Sequence, residues 1–173
     1  MVTAAVIVLI LLAALLVFAA TRPGQFRVER SIAIDAPTAK IYPLIADFHN
    51  WRAWSPWENV DADLKRSYSG AAAGEGAVYE WAGRKAGTGR MEIKHASPDW
   101  HLFIQLDFIK PFEGHNTAEF TLTPGADTTT VTWAMYGPTT FIGKLMSVFV
   151  SMDKYLGGQF EQGLRNIKAA AEK

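Results

Sequence analysis

The sequence predicts an α+β domain. A curved antiparallel sheet of about six to seven strands wraps around one long C-terminal helix. Two short helices follow the first strand, and an N-terminal transmembrane helix precedes it. Three observations predict this. From Phe26 to Met135 the chain repeatedly alternates apolar and polar residues in short runs, the period of half-buried strands. Turn signals such as Ser97-Pro98-Asp99 and Pro124-Gly125-Ala126-Asp127 join successive runs, so neighbouring strands pair antiparallel. Beyond the last run, Met152, Leu156, Phe160, Leu164 and Ile167 recur at helical spacing and draw one apolar stripe on a helix from about Met152 to Lys168. One face of the sheet is apolar and must be covered, and this helix is the long element available to cover it. A curved sheet around one helix leaves a cavity, roofed by the short helices.

The N-terminus is a separate element. Val2 to Ala20 is apolar except for Thr3. At ~1.5 Å per residue it rises ~28 Å, close to the ~30 Å hydrocarbon core of a bilayer. The leading reading of residues 1–21 is a transmembrane anchor; a cleaved signal peptide ending at Ala19 or Ala20 and a buried core helix are the alternatives. Arg22, Arg27 and Arg30 follow the span and no Lys or Arg precedes it, which leans the domain toward the cytoplasm. Residues 22–25 form a linker around Pro23-Gly24, and the folded domain occupies 26–173.

In Phe26 to Asp35, residues Phe26, Val28, Ile32 and Ile34 share one face. Arg30 falls on the same parity: either a bulge turns it outward, or it is an inward charge with a partner. Asp35 or Thr38 is placed to cap the short helix marked by Ile41, Leu44, Ile45 and Phe48, with Pro43 early enough to be tolerated. Trp51, Trp54 and Trp57 follow at spacings of three. They are either a plug closing one end of the core or the wall of a binding cavity.

The remaining strands are Leu64 to Ser69, the run through Tyr79 and Trp81, and the runs Met91–His95, Leu102–Phe108, Ala118–Leu122 and Val131–Met135. The glycine-rich loop from Gly70 to Gly76 lacks the Lys-Ser/Thr ending of a phosphate cradle. Phe141 to Val150 is a second apolar stretch, a short helix or a helical lead into the last one. Gly157, Gly158 and Gly163 each weaken that last helix by up to ~1 kcal/mol relative to alanine. They are expected to allow close approach to a sheet or a ligand.

Arg30-Ser31-Ile32 with Ile34 and Ala36-Pro37, Asp47-Phe48 with Trp51 and Trp54-Ser55-Pro56-Trp57, Tyr68-Ser69-Gly70, and Gly76-Ala77 with Tyr79 and Trp81 occur in this order. Lys110-Pro111-Phe112, Thr132-Trp133, Phe160-Glu161 and Gly163-Leu164 continue the series. In order and spacing these residues resemble the START-like, helix-grip superfamily abbreviated SRPBCC, and within it the polyketide cyclase/dehydrase and lipid transport group. The resemblance covers residues 26 to 170. It implies a hydrophobic cavity between sheet and long helix and the binding of apolar or amphipathic ligands. It does not imply one reaction.

Composition narrows the function. Lys plus Arg and Asp plus Glu are both 17, so there is no basic excess to serve nucleic acid. The sequence has no cysteine, which excludes disulfides and thiolate chemistry. His49, His95, His101 and His115 have no metal-ligand spacing, and no G-x-S-x-G elbow occurs. No metal, cofactor or catalytic set is expected. Glu80, Glu92, Asp107 and Glu119 lie on the polar parity, whereas His95 shares parity with Met91 and Ile93. The reading is a membrane-anchored binding module whose cavity takes a lipid-like or other apolar small molecule. Its expected lining is Trp54, Trp57, Tyr79, Trp81, Met91, Phe108, Phe120, Trp133, Met135 and Phe160. One alternative is a cyclase/dehydratase-type enzyme on an aromatic or polyketide-like substrate, using an inward His95 or Arg30. Another is an anchored interaction or stress-response protein without a ligand.

Overall fold

The computed structural model describes residues 2–149 and 151–173, without the side chains of Val2, Ala4, Ala5 and Val8. Met1 of the expected anchor and Val150 of the apolar stretch lie outside the described residues. The elements are helix α1 (Val2–Ala20), strand β1 (Gln25–Ile34), helix α2 (Thr38–Ala46) and two 3₁₀ turns (Phe48–Ala53 and Pro56–Asn59). Strands β2 (Lys65–Gly70), β3 (Ala77–Gly83), β4 (Gly87–Ser97), β5 (His101–Lys110), β6 (Gly114–Pro124) and β7 (Thr129–Pro138) follow. Helices α3 (Phe141–Met146) and α4 (Met152–Ala171) end the chain.

The seven strands form one antiparallel sheet in the order β1-β7-β6-β5-β4-β3-β2. Strands β2 to β7 pair in sequence order, as their short turns dictate, and β1 closes the far edge onto β7. Alternation sets the faces: Tyr79, Met91, Ile93, Leu102, Ile104, Phe120, Leu122, Val131 and Trp133 are all buried on one side. On the other side Glu92 pairs with Arg90 and Lys94, Asp107 with His115, and Glu119 with His101.

Helix α4 covers the buried face. Ser151 caps it, accepting from the Lys154 amide at 3.3 Å. Its apolar stripe holds as expected for Leu156, Phe160, Leu164 and Ile167, all buried, but Met152 is exposed. The helix is tied to β1 at both ends. Arg30 donates to Asp153 at 2.9 and 3.0 Å and to Glu161 at 3.0 Å. At the far end Lys168 donates to the Ala33 carbonyl at 2.9 Å, and Glu172 accepts from the Asp35 amide at 2.7 Å.

These ties explain two glycines. A side chain at Gly157 would collide with the Arg30 guanidinium. A Cβ at Gly163 would sit 2.8 Å from Cζ3 of Trp133 and 3.2 Å from Cδ of Pro56. Gly158, on the exposed side, meets nothing within 4 Å. The register of β1 against β7 runs without a bulge, so Arg30 is an inward-parity charge whose partners lie on α4. For α2, Pro37 occupies the cap position with no side-chain cap bond, so neither Asp35 nor Thr38 caps it.

Among the described residues, no helix is long and apolar enough to cross a membrane. The transmembrane anchor at 1–21, the single-pass localisation and the cytoplasmic lean that rested on it are therefore corrected. The C-terminal end of α1 is occupied by protein. It packs against α3, Ala19 is fully buried, the Arg22 guanidinium lies 5.2 Å from the Phe18 ring centre, and Arg22 reaches the Ser147 carbonyl at 3.3 Å.

The glycines separate in a stability experiment. Gly163→Ala is expected to lose about 1–3 kcal/mol through overpacking against Trp133. Gly158→Ala is expected to gain about 0.5–1 kcal/mol, because the added methyl meets open space and the helix backbone loses freedom only in the unfolded chain. Urea denaturation of both variants beside the parent checks the pair.

Candidate functional site

Between the first half of α4 and strands β3 to β7 lies a cavity of about 300 Å³. Its sheet wall comes from inward positions of consecutive strands: Tyr79 and Trp81 on β3, Met91 on β4, Leu106 and Phe108 on β5, Ala118 on β6, and Trp133 and Met135 on β7. Tyr155, Leu156 and Phe160 of α4 face them. The 3₁₀ turns supply Trp51, Ser55, Trp57 and Glu58. Tyr155 is exposed and stands at the mouth with Lys85 and Ala86. A wider cleft of about 780 Å³ beside α3 adjoins the cavity and shares Phe108, Met135, Tyr155 and Leu156 with it.

Of the residues expected to line a pocket, Trp57, Tyr79, Trp81 and Met91 do so, as do Phe108, Trp133, Met135 and Phe160. Trp54 and Phe120 do not. They are 1% and 0% exposed and pack edge-to-face, 6.0 Å apart, in the solid core behind the cavity. The tryptophan segment is thus plug and wall at once. Trp51 and Trp54 give their indole N–H groups to the carbonyls of Ile45 (2.8 Å) and Leu44 (2.7 Å), locking the turn onto α2. Trp57 packs edge-to-face on Trp133 and Phe160.

The polar groups of the cavity are few and mostly engaged. Glu58 is 5% exposed. Its carboxylate accepts from the Tyr79 hydroxyl at 2.6 Å and from Arg66 Nε at 2.5 Å, while Arg66 also donates to the Glu58 carbonyl at 2.8 Å. Burial, and then the hydrogen bond to Glu58, push the Tyr79 phenol far above its usual range, so it stays protonated as a donor. The mouth is fixed by Asp61, whose carboxylate accepts from the Lys85 and Ala86 amides at 2.8 and 2.7 Å; those amide bonds hold it below the usual carboxylate range. Trp81 gives its N–H to the Ala86 carbonyl at 3.2 Å.

Sequence parity did not reveal Glu58, because it sits in a 3₁₀ turn where strand alternation has no meaning. The signal present was an acid directly after Trp57, with Arg66 and Tyr79 on neighbouring strands. The two residues that the enzyme alternative would use lie elsewhere. The pairing of β4 with β5 shifts between Ile93 and His95, and this bulge turns His95 out to solvent, 3.5 Å from Glu75. Arg30 is held by Asp153 and Glu161. Neither lines the cavity. Among the described residues, no group of three or more His, Asp or Glu is placed to hold a metal ion.

The model of the family described as polyketide cyclase / dehydrase and lipid transport matches residues 25–172, nearly all of the chain after α1. The chain belongs to that family. No curated protein matches it. Solved structures with the same fold include DynU16, from the dynemicin biosynthetic locus, with 18% identity and a TM-score of 0.61 over 85% of this chain. The chain spans only 47% of DynU16. The Aha1 dimer from Colwellia psychrerythraea has 15% identity and a TM-score of 0.61, covering 85% of this chain and 96% of that one. CV1439 from Chromobacterium violaceum has 14% identity and a TM-score of 0.59, covering 88% and 99%. At such identities these likenesses establish the helix-grip fold alone.

Tyr79 gives a pH-dependent prediction. Its folded pKa lies above its unfolded value of about 10. The unfolded chain therefore loses the proton first. The stabilisation is fully present below pH ~10 and is lost as pH rises beyond it. Tyr79→Phe is expected to cost about 1–3 kcal/mol at neutral pH by leaving Glu58 Oε1 without its donor, while Arg66 still holds Oε2. It should also flatten the alkaline fall in stability relative to the parent. Denaturation curves between pH 7 and 11.5 check both.

Proposed function

We propose that the protein is a binding module that holds an apolar or lipid-like small molecule in the cavity between α4 and the sheet. The observation that carries this is a cavity whose walls are aromatic, aliphatic and methionine side chains, while its one buried carboxylate is already bonded to Tyr79 and Arg66. Such a site rewards burial of apolar surface, at roughly 25 cal/mol per Å², and offers few groups to orient a reaction. Its volume of about 300 Å³ falls within the range of small-molecule sites, which supports binding over a ligand-free interaction role. The family spans hydrophobic-ligand binding and cyclase/dehydrase chemistry. The cyclase/dehydratase reading loses its two candidate residues, because His95 and Arg30 stand outside the cavity.

Thermal melting of the full chain tests the proposal against naphthalene-sized aromatic compounds and medium-chain aliphatic compounds. A compound present at 100 times its Kd should add about 2.7 kcal/mol of stability, which corresponds to a rise in Tm of about 5–10 °C. Ala118→Phe, which places a ring in the cavity and leaves α1 and the mouth unaltered, should remove that rise. If no compound stabilises the chain, or the variant responds like the parent, the cavity is not the binding site.

A further inference from the structure

The cavity does not end at its own walls. The cleft beside α3 shares Phe108, Met135, Tyr155 and Leu156 with it, so the two spaces meet across these side chains. Their chemistry differs. The cavity is walled by apolar groups, and its one carboxylate is engaged. The cleft adds polar side chains, Gln25, Asn116 and Thr140 among them, and a cation, Arg22.

Arg22 stands apart from the other arginines that are half-buried. Arg30, Arg66 and Arg90 each hold a carboxylate within 3.0 Å. Arg22 is half-buried too, yet it has no carboxylate partner among the described residues. Its contacts are the Ser147 carbonyl at 3.3 Å and the Phe18 ring, 5.2 Å from its centre. Glu113 also lines the cleft, but it is exposed and forms no ion pair with Arg22. A charge withdrawn from water favours a counter-charge. Arg22 also lies before residue 25, where the family match begins, so it comes from the segment that precedes the common fold.

We infer that Arg22 receives the head of a single-chain amphipathic carboxylate, whose head lies in the cleft beside α3 and whose tail passes Met135 and Leu156 into the cavity. This rests on the binding reading above. The planar guanidinium matches a carboxylate, and one cation balances one charge. A doubly charged head would meet Glu113 without a second cation in the cleft. The opposite orientation is disfavoured, because a head inside the cavity would lose its hydration beside Glu58, whose partner Arg66 is already engaged. Lys85 at the cavity mouth is exposed, and a pair formed there gains little.

The test uses dodecanoate, with dodecan-1-ol as a neutral chain of the same length, on the full chain. In Arg22→Gln the ratio of dodecanoate to dodecan-1-ol affinity should fall about 5–20-fold, between the ranges of an exposed ion pair and of a hydrogen bond to a charged group. Arg22→Lys keeps the charge and should keep most of the ratio. A second measurement needs no variant. In the parent, bound dodecanoate should give intermolecular NOEs from its α-methylene to Thr140 in the cleft and from its terminal methyl to Met91 in the cavity. A ratio unchanged in Arg22→Gln, or an α-methylene beside Met91 or Lys85, overturns the inference and leaves the binding reading intact. If neither compound binds, both fall.

Discussion

The stack of Phe160 on Trp133, 4.3 Å apart and nearly parallel, sets the distance between α4 and the sheet. The rest of the structure is arranged around it. The helix can come this close because residue 163, one turn further along, has no side chain to strike the indole. Phe120 supports the indole from the neighbouring strand, as its direct register partner on β6. On one side of the stack the core is solid, with Leu164 and Ile167 fully packed. On the other side the cavity opens, with Leu156 and Tyr155 on its helix wall. One contact therefore separates the part of the domain that gives stability from the part that can hold a guest.

The ionic ties have a different task. Arg30 with Asp153 and Glu161, and Lys168 with the Ala33 carbonyl, fix the rotation and slide of α4 along β1. The pairs are partly exposed, so each adds little stability. Their value is register, because a helix that slid by one turn would lose the match of Gly163 to Trp133. The buried Glu58–Tyr79–Arg66 group plays the same role for the turn that carries Trp57. Removing one of its members would strand a buried charge or acceptor, although the group's net contribution is small.

Much of this architecture was legible from local pattern. The strands, their antiparallel order and the stripe of α4 follow from periods of two and 3.6 residues, which survive in the folded chain wherever one face is buried. Parity also brought Tyr79, Trp81, Met91, Phe108, Trp133 and Met135 to the cavity side. It could not separate them from Phe120, because parity assigns a face and not a position along it, and the spacing of three that grouped Trp54 with Trp57 did not show which of them meets the cavity. It misplaced His95, since one extra residue in β4 inverts everything beyond it. Arg30 read as an anomaly because its partners lie more than 120 residues away on α4. The N-terminal helix misled in another way. Its apolar run read as a spanning segment, whereas no helix among the described residues is long and apolar enough to cross a membrane, and its C-terminal end packs against α3. Arg22 read only as a charge flanking that run, since only the finished packing shows which arginines found a carboxylate.

The central claim is that an apolar guest sits between α4 and the sheet. The methyl groups of methionine report on it directly, because Met91 and Met135 line the cavity whereas Met146 stands exposed on α3. Labelling the full chain with ¹³C-methyl methionine and titrating it with 2-acetylnaphthalene should shift the Met91 and Met135 resonances together and saturably, with Met146 unmoved. A titration that moves Met146 and leaves Met91 in place would put the guest on the outer surface and contradict the account.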